Sequence, residues 1–249
     1  MRIMLTVAYD GTAYHGWQVQ AHEGATIEGI LNRALGELTG EEISVIGASR
    51  TDAGVHAKGN LCVFDTSSTI PPDRFTPALN SVLPDDIRIM GSRQVADELH
   101  PRHTDSRKTY CYRLYHADIC PPMERLYRHH IYGPVDIQAM TAAAPYFAGE
   151  HDFAAFCAAG SQAETTVRTV YDVHIEEKDP YIDIYVTGAG FLYNMVRIIA
   201  GTLLEAGRGR IRPEDIPGII RSGDRARSGP TLPACGLCLE KIELDGQPL

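Results

Sequence analysis

The tightest constraint on the fold is an order of elements read twice along the 249-residue chain. Arg2–Asp10 alternates, with Ile3, Leu5, Val7 and Tyr9 on one face, the period of a half-buried strand. After a Gly-flanked loop from Gly11 to Gly24, Thr26 caps a helix in which Ile27, Ile30, Leu31, Ala34, Leu35 and Leu38 recur at helical spacing. Gly40 stops it. Glu42–Ala48 and Gly59–Asp65 read as strands joined by the loop Ser49–Lys58. A helix through Phe75, Ala78, Leu79 and Val82 and a strand Ile87–Val95 complete a β-α-β-β-α-β unit. The second half repeats the pattern: strand Thr109–His116, a helix near Asp136–Phe147, strands Arg168–Lys178 and Tyr181–Thr187, and helix Phe191–Ala206. A short helix, Pro213–Arg221, precedes a last strand, Leu237–Leu244. The expected class is α+β: two ferredoxin-like βαββαβ lobes, residues 1–104 and 105–249, whose sheets merge into one mostly antiparallel sheet with a central cleft.

Composition narrows the setting. No run approaches the roughly 18 apolar residues of a membrane span, and the N-terminus lacks the basic-then-apolar layout of a signal peptide. A soluble, cytoplasmic protein is expected, with no membrane partner. Six scattered cysteines without framework spacing predict buried thiols in a reducing compartment. The single C-x-x-C, Cys235 to Cys238, enters a strand, where positions three apart face opposite sides, and no second pair completes a zinc site. His129-His130 and His151-Asp152 lack a third ligand at metal spacing, so no metal is expected.

The net charge of −9 hides a partition. Residues 99–128 carry six basic side chains (Arg102, Arg107, Lys108, Arg113, Arg125, Arg128) against three acidic ones. Residues 197–227 carry seven (Arg197, Arg208, Arg210, Arg212, Arg221, Arg225, Arg227) against four. Local basic surface on an acidic body is the footprint of a phosphate-binding site.

The segment Ser49-Arg50-Thr51-Asp52-Ala53-Gly54-Val55-His56-Ala57 runs from a strand end into a turn. Asp-Ala-Gly makes such turns wherever strands must reverse, and the same backbone can lift one carboxylate into a cleft. Four blocks decide between these readings. Arg50-Thr51-Asp52-Ala53-Gly54-Val55-His56-Ala57 resembles the signature of the tRNA pseudouridine synthase A family. Tyr9-Asp10-Gly11-Thr12 with Tyr14, Gly16, Trp17 and Gln18 resembles its opening motif. Phe191-Leu192-Tyr193-Asn194-Met195-Val196-Arg197 with Gly201-Thr202-Leu203-Leu204 resembles its C-terminal helix. Gly229-Pro230-Thr231, Pro233-Ala234 and Gly236-Leu237 resemble its closing segment. The blocks keep the family's order and span nearly the whole chain.

The resemblance implies an isomerase that turns uridine into pseudouridine at positions 38, 39 and 40 of the tRNA anticodon stem-loop, as a homodimer and without a cofactor. It implies Asp52 as the nucleophile, adding to C6 of the base or acting at C1' of the sugar. Arg197 matches the cation paired with that aspartate, Tyr110 the tyrosine beside the target base, and Leu237 a residue packed on it. Arg50 is the candidate to hold the gap left by the flipped nucleotide or to grip its phosphates. Arg102, Arg107, Lys108, Arg208 and Arg210 are expected as further tRNA contacts, and His56 as a loop-stabilising residue. The chain departs from the family pattern at Ser49, where Gly is usual, at Ile198, where Asn is usual, and at Cys238, where an aromatic is usual. Ser49 bears on the geometry of the Asp52 loop.

Overall fold

Alternation and capping residues place the elements of the computed structural model, which describes residues 1–20 and 24–246. In chain order these are β1 (Arg2–Tyr9), α1 (Ile27–Thr39), β2 (Ile46–Gly47), β3 (His56–Asp65), α2 (Phe75–Asn80), β4 (Ile87–Val95) and β5 (Ser106–His116). They continue with β6 (His129–Ile131), α3 (Ile137–Ala143), β7 (Gly149–Asp152), β8 (Val167–Lys178), β9 (Tyr181–Gly188), α4 (Met195–Gly207), α5 (Ile216–Ser222) and β10 (Leu237–Leu244). Two compact units emerge: Met1–Ser106 together with the chain from Leu239 onward, and Arg107–Cys238.

In the first unit β1 lies between β3 and β4, antiparallel to both, and β10 follows β3. Ile3, Leu5 and Val7 of β1 are buried, as the alternation predicts, and α1 contributes Ile27, Leu31 and Leu35. Thr26 caps α1 by accepting from the Gly29 N–H, and Gly40 closes it in the left-handed region at φ 73°. The strand expected over Glu42–Ala48 shrinks to Ile46–Gly47. Side chains occupy the backbone before it: Asn32 Oδ1 accepts from the Val45 N–H at 2.8 Å. β3 begins three residues before the expected Gly59 and starts at His56. Residues 21–23 of the Gly11–Gly24 loop lie outside the described residues.

The second unit has the strand order β5-β9-β8-β7, antiparallel throughout, with the short β6 parallel to β5. β9 alternates strictly, burying Ile182, Ile184, Val186 and Gly188. Neither β6 nor β7 is legible as a periodic run, because three or four residues are too few to show a period. Pro145 converts the end of the expected Asp136–Phe147 helix into a 3₁₀ turn. α4 starts at Met195, four residues after Phe191, because Asn194 takes a left-handed backbone at φ 61°. Eleven of its thirteen residues are buried, leaving Arg197 and Glu205 as its two partly exposed positions. A helix with so few exposed positions is a core helix.

Candidate active site

Two loops of the first unit are locked into each other around Asp52. The Trp17 N–H donates to the Thr51 carbonyl at 3.0 Å and the Gly54 N–H to the Tyr14 carbonyl at 3.3 Å. The Val55 N–H returns to the Asp52 carbonyl at 3.1 Å, closing the turn, and Gly54 sits at φ 77°. Close approach makes glycine necessary on the facing loop. A Cβ on Gly11 would lie 2.0 Å from the Val55 carbonyl oxygen, and one on Gly16 (φ 85°) 2.6 Å from that of Thr51.

Buried polar side chains complete the frame. Tyr9 Oη and Thr51 Oγ1 are 2.7 Å apart, and Asn60 Nδ2 donates both to Tyr9 Oη at 3.2 Å and to the Ser49 carbonyl at 3.0 Å. Ser49 therefore sits in a braced stretch of backbone. The close approach beside it falls at Gly47, where a Cβ would be 2.4 Å from Trp17 Nε1. His56 is buried and takes the Gly11 N–H on Nδ1 at 3.0 Å. Asp10 Oδ1 lies 3.1 Å from the same nitrogen. Only one of these contacts is a hydrogen bond at a time, since Nδ1 accepts in one tautomer and donates in the other. Either way the ring ties the two loops together. Tyr14 hydroxyl donates to Asp86 Oδ1 at 2.5 Å, and burial together with that carboxylate pushes its phenol above the ordinary range. Asp52 itself is partly exposed, carried on a rigid turn.

Arg50 is exposed. Arg102 donates through Nε to the Gly47 carbonyl at 2.9 Å, which brings it to the start of this loop. Burial and then the nearby Arg50 lower the Arg102 pKa, while Glu28 opposes the shift. Two guanidiniums thus share one corner of the first unit. His100 and His103 stack beside Arg102 with ring centroids 3.9 Å apart.

In the second unit Tyr110 is 6% exposed on β5, opposite Val186 of β9, with Phe191 packed edge-on at 5.4 Å. Of its neighbours, Tyr112 and Tyr115 are buried, whereas Tyr127 is exposed. Arg197 emerges from α4 and donates through Nε to the Leu232 carbonyl at 2.6 Å and through Nη1 to Asn194 Oδ1 at 2.5 Å. The closing segment lies flat on the same helix. A Cβ on Gly201 would meet the Pro230 carbonyl oxygen at 2.0 Å, and the Gly229 N–H donates to Thr202 Oγ1 at 2.8 Å. Tyr112 hydroxyl donates to the Pro233 carbonyl at 2.8 Å, and Leu237 follows, 6% exposed. The third and fourth sequence blocks therefore form one packed structure, with Arg197 at its seam. The sequence reading passed over Asn60 and named Asn194 only as part of a motif, without its bond to Arg197. Asn194 carried a signal, since Asn is the non-glycine residue most at home in a left-handed backbone.

The remaining basic residues differ in how far acids compensate them. Arg208 and Arg210 both pair with Glu205. Arg107 lies over the Tyr171 ring at 4.4 Å, and Lys108 is half-buried on β5. Cys235 is half-buried, its thiol pushed up by burial, and Cys238 is buried. Among the described residues no group of three or more His, Cys, Asp or Glu side chains could hold a metal ion. No helix of the described residues is long and apolar enough to cross a membrane.

Comparison with known proteins assigns the family. A family model described as tRNA pseudouridine synthase matches residues 5–103 and 143–245. The chain belongs to the tRNA pseudouridine synthase family. Its similarity to tRNA pseudouridine synthase A 2 of Clostridium perfringens is 48% identity over 240 residues, covering 96% of this chain and 98% of the relative. The tRNA pseudouridine synthases A of Caldicellulosiruptor bescii and Moorella thermoacetica are each 47% identical, again over 98% of their lengths. These enzymes are isomerases, and the mixed, mostly antiparallel architecture accords with the family's fold.

Proposed function

We propose that the protein isomerises uridine to pseudouridine at positions 38, 39 and 40 of the tRNA anticodon stem-loop, with Asp52 as nucleophile and no cofactor. The observation that carries this reading is the Asp52 turn, a partly exposed carboxylate on a loop braced from both sides by its own unit. The reaction breaks the C1'–N1 bond and forms C1'–C5 within one nucleotide. N1 gains a proton and C5 gives one up, so no oxidant, reductant or outside group is needed. A carboxylate that adds to C6 or acts at C1' opens this route.

Such a nucleophile must stay ionised once the base has displaced water, and a nearby cation favours the charged form. Arg197 is assigned that role. Its place supports the assignment: Arg197 and Glu205 are the two charged, partly exposed residues on a helix whose other eleven positions are buried, and Arg197 stands in the first turn, against the Leu232 carbonyl. Tyr110 is assigned to stack beside the base and to assist loss of the C5 proton, and Leu237 to pack on the ring. Arg50 fills the gap left by the extruded nucleotide or grips its phosphates. Arg102, Arg107, Lys108, Arg208 and Arg210 contact the RNA backbone. The enzyme works in the cytoplasm as a homodimer that reads RNA shape more than base edges.

Tritium release from tRNA labelled at uridine C5 tests the reading. Asp52→Asn is expected to abolish release while binding tRNA as the parent does. Substantial isomerisation by that variant would overturn Asp52 as nucleophile. Pseudouridine mapping in tRNA from a deletion strain should show positions 38–40 unmodified, and intact modification there would reassign the target.

A further inference from the structure

Resting on the assignment of Arg197 as partner of the nucleophile, we propose that Asn194 is the residue that positions it. Asn194 is the one non-glycine residue with positive φ among the described residues, at φ 61° and ψ 9°. It stands at the N-cap of α4, where an asparagine ordinarily accepts a backbone N–H of the first turn. Here its side chain caps no backbone group. Its Oδ1 instead accepts from Arg197 Nη1 at 2.5 Å.

The guanidinium is held at a second point by the Leu232 carbonyl, 2.6 Å from Nε, and the Leu232 N–H reaches back to the Arg197 carbonyl at 3.4 Å. Two donors of one planar group, fixed by acceptors on two different segments, set the plane of that group as well as its place. Both acceptors are neutral. They orient the guanidinium without adding an anion that would weaken its effect on a carboxylate elsewhere.

The position therefore imposes two demands. The backbone must be left-handed, which glycine meets best and asparagine tolerates. The side chain must carry a neutral oxygen on a short stem, which glycine lacks and aspartate supplies only with a charge. Asparagine meets both, and the two failures define the test.

Turnover by tritium release, tRNA affinity, melting temperature and the pH dependence of kcat are measured for Asn194→Gly, Asn194→Asp and Arg197→Lys. Asn194→Gly is expected to keep the parent's melting temperature and KM and to lose about tenfold to a hundredfold in kcat, the scale of a misplaced catalytic group. Asn194→Asp places a carboxylate against the guanidinium and weakens its hold on ionised Asp52, so the acid limb of the kcat profile moves to higher pH. Full kcat in Asn194→Gly overturns the positioning role. If that variant melts early, the acid limb of Asn194→Asp decides, and an unmoved limb overturns the proposal. Full kcat in Arg197→Lys would instead remove the assignment of Arg197 itself. Loss in Arg197→Lys beside a normal Asn194→Gly would remove only the inference about Asn194.

Discussion

A half-buried imidazole illustrates how a single residue answers to its surroundings. His129 opens β6, where burial first, then Arg208 and then His130, holds its pKa below the ordinary value. The folded protein therefore prefers the neutral ring, while the unfolded chain takes up a proton near the ordinary value of about 6.5. The associated stability is present above that value and is lost as pH falls through the lower folded pKa. The melting temperature should accordingly drop as pH falls below about 6.5, and His129→Gln should flatten that drop. An equal drop in the variant would place the effect elsewhere. Asp65 acts in the same direction at lower pH. Arg2 donates to both of its oxygens, at 2.9 and 2.7 Å, and holds the carboxyl below its usual range.

At the scale of elements, the loop carrying Asp52 depends on a contact with the buried indole of Trp17. Gly47→Ala should destabilise the protein by about 1–3 kcal/mol, as overpacking does, because the new methyl meets an indole with no solvent to move into. Urea denaturation would show a lower midpoint with an unchanged slope. A midpoint equal to the parent's would mean that Trp17 can yield. Element boundaries teach a related lesson. α1 ends where its cap residues predict, since Thr26 and Gly40 act locally. α4 begins late because Asn194 breaks the backbone inside an apolar run that hydrophobic periodicity alone reads as continuous helix. The strand over Glu42–Ala48 is mostly lost because Asn32, on a helix, takes one of its backbone donors.

For the whole molecule the question is which positive charges remain available to RNA on a chain of net charge −9. The basic windows are partly spent internally. Arg128 pairs with Glu124 and Asp183, Arg212 with Asp215, and Arg225 bonds Ser228, Gly229 and Thr231. Arg208 and Arg210 share one carboxylate. Affinity for tRNA should fall steeply with salt, and Arg50→Gln should reduce the slope of log K against log salt by about one phosphate's worth. Arg212→Gln should leave the slope unchanged. Equal effects from the two variants would show that the surplus acts as a diffuse field rather than through placed contacts.

The sequence alone determined what depends on neighbours in the chain: the periods of β1, β9 and α1, and the caps of α1. Tertiary structure decided that position 47 must be bare, that Asn194 bends away from helix to hold a guanidinium, and which arginines are already paired. It also decided that the chain from Leu239 onward joins the first unit. Periodicity and turn chemistry report a residue's own backbone, whereas these outcomes follow from contacts between segments far apart in the chain, which no local pattern records.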